Sequence, residues 1–320
     1  DDFGTNPCSE IILRSREFCN LSEVVVRSND TLQSIKEKIR LATIIGTFQS
    51  TLTSFKYLSR EWGRNCEDER LLGVSLTGIM DCAITNGTKG NIKKTLNELR
   101  DVAVETNKEY AEKLGINRAA AITCVKPSGT VSQLVDSASG IHARHNPYYV
   151  RTVRADNKDP LCKMMKEEGF PNEPDVSKPD HTTVFSFPAK SPKGAICRND
   201  MTAWKQLSLW HTYAKEWCEH KPSVTVSVKE EEWVNTAAWV YENFDDISGI
   251  SFLPFSDHSY RQAPYQDCTE KEYKELVKQM PKNVNWGALA EYETKDYTSA
   301  SQEFACTSAG GCELVDITPA

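Results

Sequence analysis

The chain has 320 residues, 39% of them hydrophobic, which is enough to bury one large core or two modest ones. Lys and Arg number 38 against 45 Asp and Glu, a net charge of -7, so no broad basic face for nucleic acid is expected and any bound anion is held locally. No apolar run reaches the ~18 residues of a membrane span and no basic-then-hydrophobic leader is present, so the chain is expected to be cytoplasmic, with no membrane partner.

In chain order, the opening segment "GTNPCSEIILRSREFCN" (4–20) sets Asn6, Cys8 and Glu10 at alternate positions. In an extended segment these three side chains point the same way. Ile35, Ile39, Ala42, Ile45, Phe48, Leu52 and Phe55 then recur at steps of three and four, predicting a long amphipathic helix capped by Asn29 or Asp30. The apolar run "LLGVSLTGIM" (71–80), a polar helix over about 91–114 and "AAAITCV" (119–125) follow. Next come "TTVFSFP" (182–188), a Trp-rich helix near 201–218, "SVTVSV" (223–228), a helix over about 230–243 and "ISGISFLPF" (247–255). The alternation predicts an α/β chain with largely parallel strands. A last helix, "TEKEYKELVKQM", precedes a Ser-, Thr- and Gly-rich tail ending "ACTSAGGCELVDITPA", expected to be mobile.

The eleven cysteines are an odd number without any C-x-x-C spacing, which fits neither a secreted disulfide framework nor a zinc ribbon. A thiol flanked by an amide and a carboxylate reads as a reaction centre, whereas a packing role for Glu10 requires a basic partner, for which Arg14 is the nearest candidate. On spacing alone the two readings stand about even. His142 and His145 in "GIHARHNPYY" lack Cys, Asp or Glu neighbours at ligand spacing, so they read as loop histidines and no metal site is expected. Tyr148 and Tyr149 read as core and edge packing, and Trp204, Trp210 and Trp217 as core. "KPSGTVSQLV" (126–135) reads as a strand-to-helix turn that presents backbone N–H groups of Ser128, Gly129, Thr130 and Val131, with Ser132 following, to an anion.

The string N-P-C-x-E, then I-x-L, then E-x-C-N-L, with "GVSLTGIMD" (73–81), "CVKPSGTVS" (124–132) and the terminal "ACTSAGGCE", resembles the ribonucleotide reductases, particularly the adenosylcobalamin-dependent class II enzymes. The resemblance spans most of the chain. It implies that Cys8 holds a transient thiyl radical, Glu10 is the general base on the substrate 3′ hydroxyl, and Asn6 hydrogen-bonds the substrate. It makes Cys19 one half of the reducing dithiol, with its partner in a first half-barrel absent here. The turn at 128–132 is implied to grip substrate phosphates, and Cys306 and Cys312 to shuttle reducing equivalents from thioredoxin.

The fold so implied is the second half of a ten-stranded α/β barrel with the finger loop at its N-terminus, dividing into 1–265 (loop and half-barrel) and 266–320 (terminal helix and redox tail). The substrate would be a ribonucleoside triphosphate, the cofactor adenosylcobalamin, and the complete protein a monomer. The chain, which starts without an initiator methionine, is expected to be a fragment that is inactive and poorly soluble alone. Alternatives are a class I large subunit, disfavoured by the lack of a tyrosine dyad near the end of the barrel, and a non-catalytic thiol-redox or nucleotide-binding module.

Overall fold

The structure is a computed structural model that describes residues 2–255 and 260–294. Its described residues fall into two compact units, one from Asp1–Pro147 with Lys190–His258 and one from Tyr148–Ala189 with Ser259–Ala320. Among the described residues no helix is long and apolar enough to cross a membrane.

The first unit opens with an antiparallel hairpin, β1 (Phe3–Thr5) on β2 (Ile12–Arg14). It continues through β3 (Asn20–Val25), α1 (Leu32–Gln49), α2 (Arg60–Glu69), β4 (Leu72–Thr77), α3 (Ile92–Leu114), β5 (Thr123–Cys124) and α4 (Thr130–Leu134). In the second unit, β6 (Tyr148–Asp156), α5 (Pro160–Glu167), β7 (Asn172–Pro174) and β8 (Thr182–Lys190) follow. The first unit then resumes with α6 (Ala203–Glu216), β9 (Val224–Val228), α7 (Trp233–Glu242) and β10 (Ile250–Pro254). The second unit closes with β11 (Tyr265–Asp267), α8 (Glu270–Gln279) and α9 (Leu289–Tyr292).

In the first unit β3, β4 and β5 run parallel, with Asn20 opposite Leu72 and Ser75 opposite Cys124. β9 and β10 are also parallel, with Val224 opposite Ile250. A single parallel bridge between Val125 and Pro222 joins the two groups into one row, β3-β4-β5-β9-β10. Alternation along the strands sends Val24, Leu72, Val74, Leu76 and Val125 to one face, into a core with Ile35 and Ile39 of α1, Leu96 and Leu99 of α3, and Trp210 and Tyr213 of α6. The other face carries Gly73, Ser75 and Thr77, of which Ser75 and Thr77 are buried as well.

Helix α1 differs from the expected pattern at both ends. Its cap is Thr31, whose hydroxyl accepts from Ser34 N at 3.1 Å while Ser34 Oγ accepts from Thr31 N. Asp30 instead accepts from Arg27 N and from Lys38. The buried face runs from Ile35 and Ile39 through Ala42 to Thr43, Gly46 and Thr47, leaving Ile45, Phe48 and Leu52 between 49% and 72% exposed. The threonine hydroxyls donate to carbonyls one turn back, so they enter the core satisfied. At Gly46 the helix packs against Leu72, whose methyls lie 3.5–3.6 Å from where a Cβ would stand, an ordinary contact that an alanine could also make.

The second unit departs from the predicted parallel alternation. Its strands lie in the order β11-β6-β8-β7, with β11 antiparallel to β6 and β7 antiparallel to β8. The segment 175–181 between β7 and β8 is shorter than the dozen or so residues a parallel crossover needs. A small core of Cys162, Met165, Phe170 and Phe185 fills this unit. Tyr148 and Tyr149 sit at the start of β6 and pack on Tyr273 and Tyr265, as packing residues do. Trp210 and Trp217 are buried with their indole N–H groups on the Pro222 and Cys124 carbonyls, whereas Trp204 lies at the surface.

After the hairpin, Glu17 is buried beside Arg14, which also pairs with Glu69 at 2.7 Å. Burial pushes the Glu17 carboxyl up to about 7, with Glu69 adding and Arg14 opposing. A carboxyl raised on folding contributes stability that is present at low pH and lost as pH rises through about 7. Denaturant titrations at pH 5.5 and pH 8 should therefore show the chain more stable at the lower pH, and Glu17→Gln should flatten the difference.

Candidate active site

The hairpin turn, not strand alternation, brings the opening residues together. Ser9 stands at φ 61° and its N–H donates to Asn6 O at 3.0 Å, so the chain folds back between Asn6 and Glu10 instead of running extended. The Asn6 amide donates from Nδ2 to Glu10 Oε1 at 2.6 Å, and its Oδ1 accepts from Ile11 N at 3.0 Å. Cys8 sits half-buried in the turn between them, with Pro7 exposed beside it.

Glu10 is fully buried. Its cationic partner is Lys126, whose Nζ donates to Oε1 at 3.0 Å, and not Arg14, which is engaged by Glu17 and Glu69. Two donors thus converge on Oε1, while the buried Oε2 receives no hydrogen bond from the described residues. A buried carboxylate oxygen so placed is an acceptor without a donor. Burial works against the Lys126 ammonium, but its hydrogen bond to Glu10 and the negative charge there outweigh burial, and its pKa is raised, with Cys8 adding to the effect.

Cys19, the residue before β3, lies near the same groups. Burial pushes its thiol up to about 12, with Glu10 and Glu17 adding and Lys126 opposing. It stays protonated at neutral pH, so it can donate a proton or a hydrogen atom but is a poor nucleophile. Its sulfur stands 3.2 Å from the point a Cβ on Gly73 would occupy, and the sulfur of Cys124 stands 3.5 Å from that point. That point is taken chiefly by Leu21, whose methyl stands 2.3 Å from it, so the missing side chain at Gly73 makes room for Leu21 with the two thiols close beside it. Cys124 is nevertheless no disulfide partner for Cys19, because β4 separates them and two strand spacings of about 4.8 Å exceed the ~7 Å limit between bridged Cα atoms.

The turn at 126–132 begins with Lys126, whose N–H donates to Ser75 Oγ at 2.8 Å. Gly129 has φ 54° and opens the short α4. The predicted row of free N–H groups is only partly free, since Gly129 N donates to Ser139 Oγ at 3.3 Å and Val131 N to Ser128 O at 3.2 Å. Ser128 is half-buried, Thr130 is exposed, and Ser132 is buried with its hydroxyl on Gly129 O.

Sequence reasoning passed over the group that anchors the far end of this turn. Arg144 is buried and grips Asp81 through Nε and Nη2, both at 2.8 Å, and Asp136 through Nη1 at 2.8 Å. Asp81 Oδ2 also accepts from Ala138 N at 2.9 Å. His142 accepts from Thr225 N at 3.0 Å and lies within hydrogen-bond distance of Ser139 O, tying β9 to the turn, and burial lowers its pKa. Among the described residues no group of three His, Cys, Asp or Glu side chains could hold a metal ion. Cys306 and Cys312 lie outside the described residues.

Two measurements follow from this geometry. Lys126→Met leaves the Glu10 charge without its cation and should destabilise the chain by about 2 kcal/mol in urea denaturation, the scale of a hydrogen bond to a charged group. Alkylation of Cys19, followed by peptide mapping, should stay slow through pH 9 and rise only as pH approaches the thiol value of about 12. An onset near pH 8.5, as for an ordinary thiol, would contradict the burial described.

No protein-family model matches the chain. Among curated proteins it is 29% identical over 286 residues to the adenosylcobalamin-dependent ribonucleoside-triphosphate reductase of Euglena gracilis, covering 88% of this chain and 38% of that protein. A probable enzyme of the same name from Dictyostelium discoideum is 29% identical over 287 residues, covering 86% and 36%. The Lactobacillus leichmannii enzyme is 26% identical over 315 residues, covering 88% and 41%. The chain therefore spans about two fifths of the length of these relatives. Its fold matches a crystal structure of a B12-dependent (class II) ribonucleotide reductase with a TM-score of 0.79 at 23% identity, over 92% of this chain and 44% of that one. Over most of its own length, the chain is thus similar in sequence to proteins named adenosylcobalamin-dependent ribonucleoside-triphosphate reductases.

Proposed function

We propose that this chain carries the nucleotide-reducing centre of a class II ribonucleotide reductase, converting ribonucleoside triphosphates to 2′-deoxyribonucleotides for DNA synthesis. The observation that carries the reading is Glu10, buried and held by Asn6 and Lys126 on one oxygen while the other lacks a donor. A ribose hydroxyl is the donor that completes it.

Adenosylcobalamin, when bound, supplies the organic radical that takes the hydrogen atom from the Cys8 thiol. Of this chain's residues, half-buried Cys8 and exposed Pro7 would face that group. The Cys8 sulfur then removes the hydrogen atom from C3′, and Glu10 Oε2 accepts the 3′ hydroxyl proton. Asn6 Nδ2, whose first N–H is on Glu10 Oε1, donates its second N–H to the substrate 3′ oxygen. Water leaves from C2′, and Cys19 with a second thiol supplies two protons and two electrons, the pair becoming a disulfide. Cys8 finally returns the hydrogen atom to C3′ and Glu10 returns the proton to the 3′ oxygen, so both residues end as they began. The raised Cys19 pKa supports its part, because only a protonated thiol has a hydrogen to give.

The remaining assignments belong to the same proposal. Ser128 to Ser132 hold the substrate phosphates, for which the N–H groups of Ser128 and Thr130 are the better candidates. The row of parallel strands supplies one half of a ten-stranded barrel, and the second thiol stands in the other half. By role the chain divides into 1–265 and 266–320, the latter carrying Cys306 and Cys312 to exchange with thioredoxin in the cytoplasm, in a monomeric enzyme.

In the complete reading frame, Cys8→Ser should abolish reduction of CTP with adenosylcobalamin. Cys306→Ser should reduce turnover driven by thioredoxin and spare turnover driven by dithiothreitol. Normal activity in both variants would sink the reading.

A further inference from the structure

The turn that carries Cys8 is seated on a residue 240 positions away, beside the first residue of β10. A Cβ added to Gly249 would stand 2.4 Å from Ser9 Cβ, 3.2 Å from its Oγ and 3.6 Å from its Cα. A contact of 2.4 Å between carbons is well inside the ~3.5 Å at which they attract. Rotating the Ser9 side chain does not relieve it, because Cβ moves only with the backbone.

That backbone has little freedom. Ser9 already occupies the left-handed region at φ 61°, its N–H is bonded to Asn6 O, and the next carbonyl, Glu10 O, accepts from Lys221 N at 3.0 Å. The Glu10 carboxylate is held by Asn6 and Lys126. Any displacement of Ser9 therefore moves Cys8 and Glu10, its two covalent neighbours.

We propose that Gly249 is a positioning residue of the candidate active site: its bare Cα is the seat that fixes the depth of the Cys8 turn. The placement of the turn stands on the contacts alone, while its catalytic importance rests on the reductase reading given above. The competing explanation is a tight packing point whose substitution lowers stability without altering the turn.

Two substitutions separate these. Gly249→Ala supplies the clashing methyl, and Ser9→Gly removes its target while placing a glycine where φ is positive. Iodoacetamide labelling of the chain, read by peptide mapping with Cys268 as internal reference, should show Cys8 reacting faster in Gly249→Ala as the turn lifts from its seat. An increase of about tenfold is expected, modest beside the ~100-fold effects that misplacements of 1 Å have on catalysis. The double variant should return to within about twofold of Ser9→Gly, as coupling between touching residues requires.

An unchanged Cys8 rate in Gly249→Ala, or a rate that Ser9→Gly fails to bring back, overturns the proposal. Neither readout needs turnover, so failure of the reductase reading would appear separately, as absence of CTP reduction by the unsubstituted enzyme.

Discussion

The arrangement depends on holding one buried carboxylate, Glu10, by donors from two distant parts of the chain. Glu10 has no exposed surface, and an unpaired charge in such a place costs several kcal/mol. Lys126 and Asn6 hold it from opposite sides of the sequence, one across 116 residues and one across four. Lys126 reaches it because β5 ends beside the hairpin, and β5 is where it is because β4 lies between it and β3. The hairpin in turn is fixed by its main-chain bond to Lys221 and by its seat against Gly249. A charge on a two-stranded hairpin thus ties together the strand row, the turn after β5 and the segment before β10.

Two sulfur environments follow from the same placement. Cys8 is at the turn and partly open, while Cys19 lies between two carboxylates and beside a buried neighbour, where loss of its proton is strongly opposed. Both thiols are half-buried, and what sets Cys19 apart is that it retains its hydrogen. The difference arises from position, since nothing in the residue type distinguishes them.

Much of the fold was legible because it is written locally. The polar helix from Asn91 ends at Gly115, a left-handed cap, and both boundaries follow from residue type. That Asn6, Cys8 and Glu10 meet was legible because they are contiguous, although Pro7 and the left-handed Ser9 replace the strand by a turn. The partners were not legible. Lys126, Gly249 and Arg144 act across tertiary distances that no periodicity encodes, and although all three stand in segments singled out in the sequence, nothing local marks them as partners of the hairpin or the turn. The outer stripe of α1 misled because Ile45, Phe48 and Leu52 share the spacing of a buried face, whereas threonines with satisfied hydroxyls take the inner one. The second unit misled because strand-like composition says nothing of direction.

The strand row has a seam. Between β5 and β9 the ladder narrows to one bridge, Val125 opposite Pro222, closed by Val125 N donating to Lys221 O and Ser223 N donating to Val125 O, a register that does not call on the N–H that proline lacks. The hairpin straddles that seam, with the Glu10 carboxylate hooked to Lys126 on one side and the Glu10 carbonyl hooked to Lys221 on the other. The same residue that supplies the charge therefore acts as a clasp, and a sheet that opened along the seam would lose its reactive turn in the same movement.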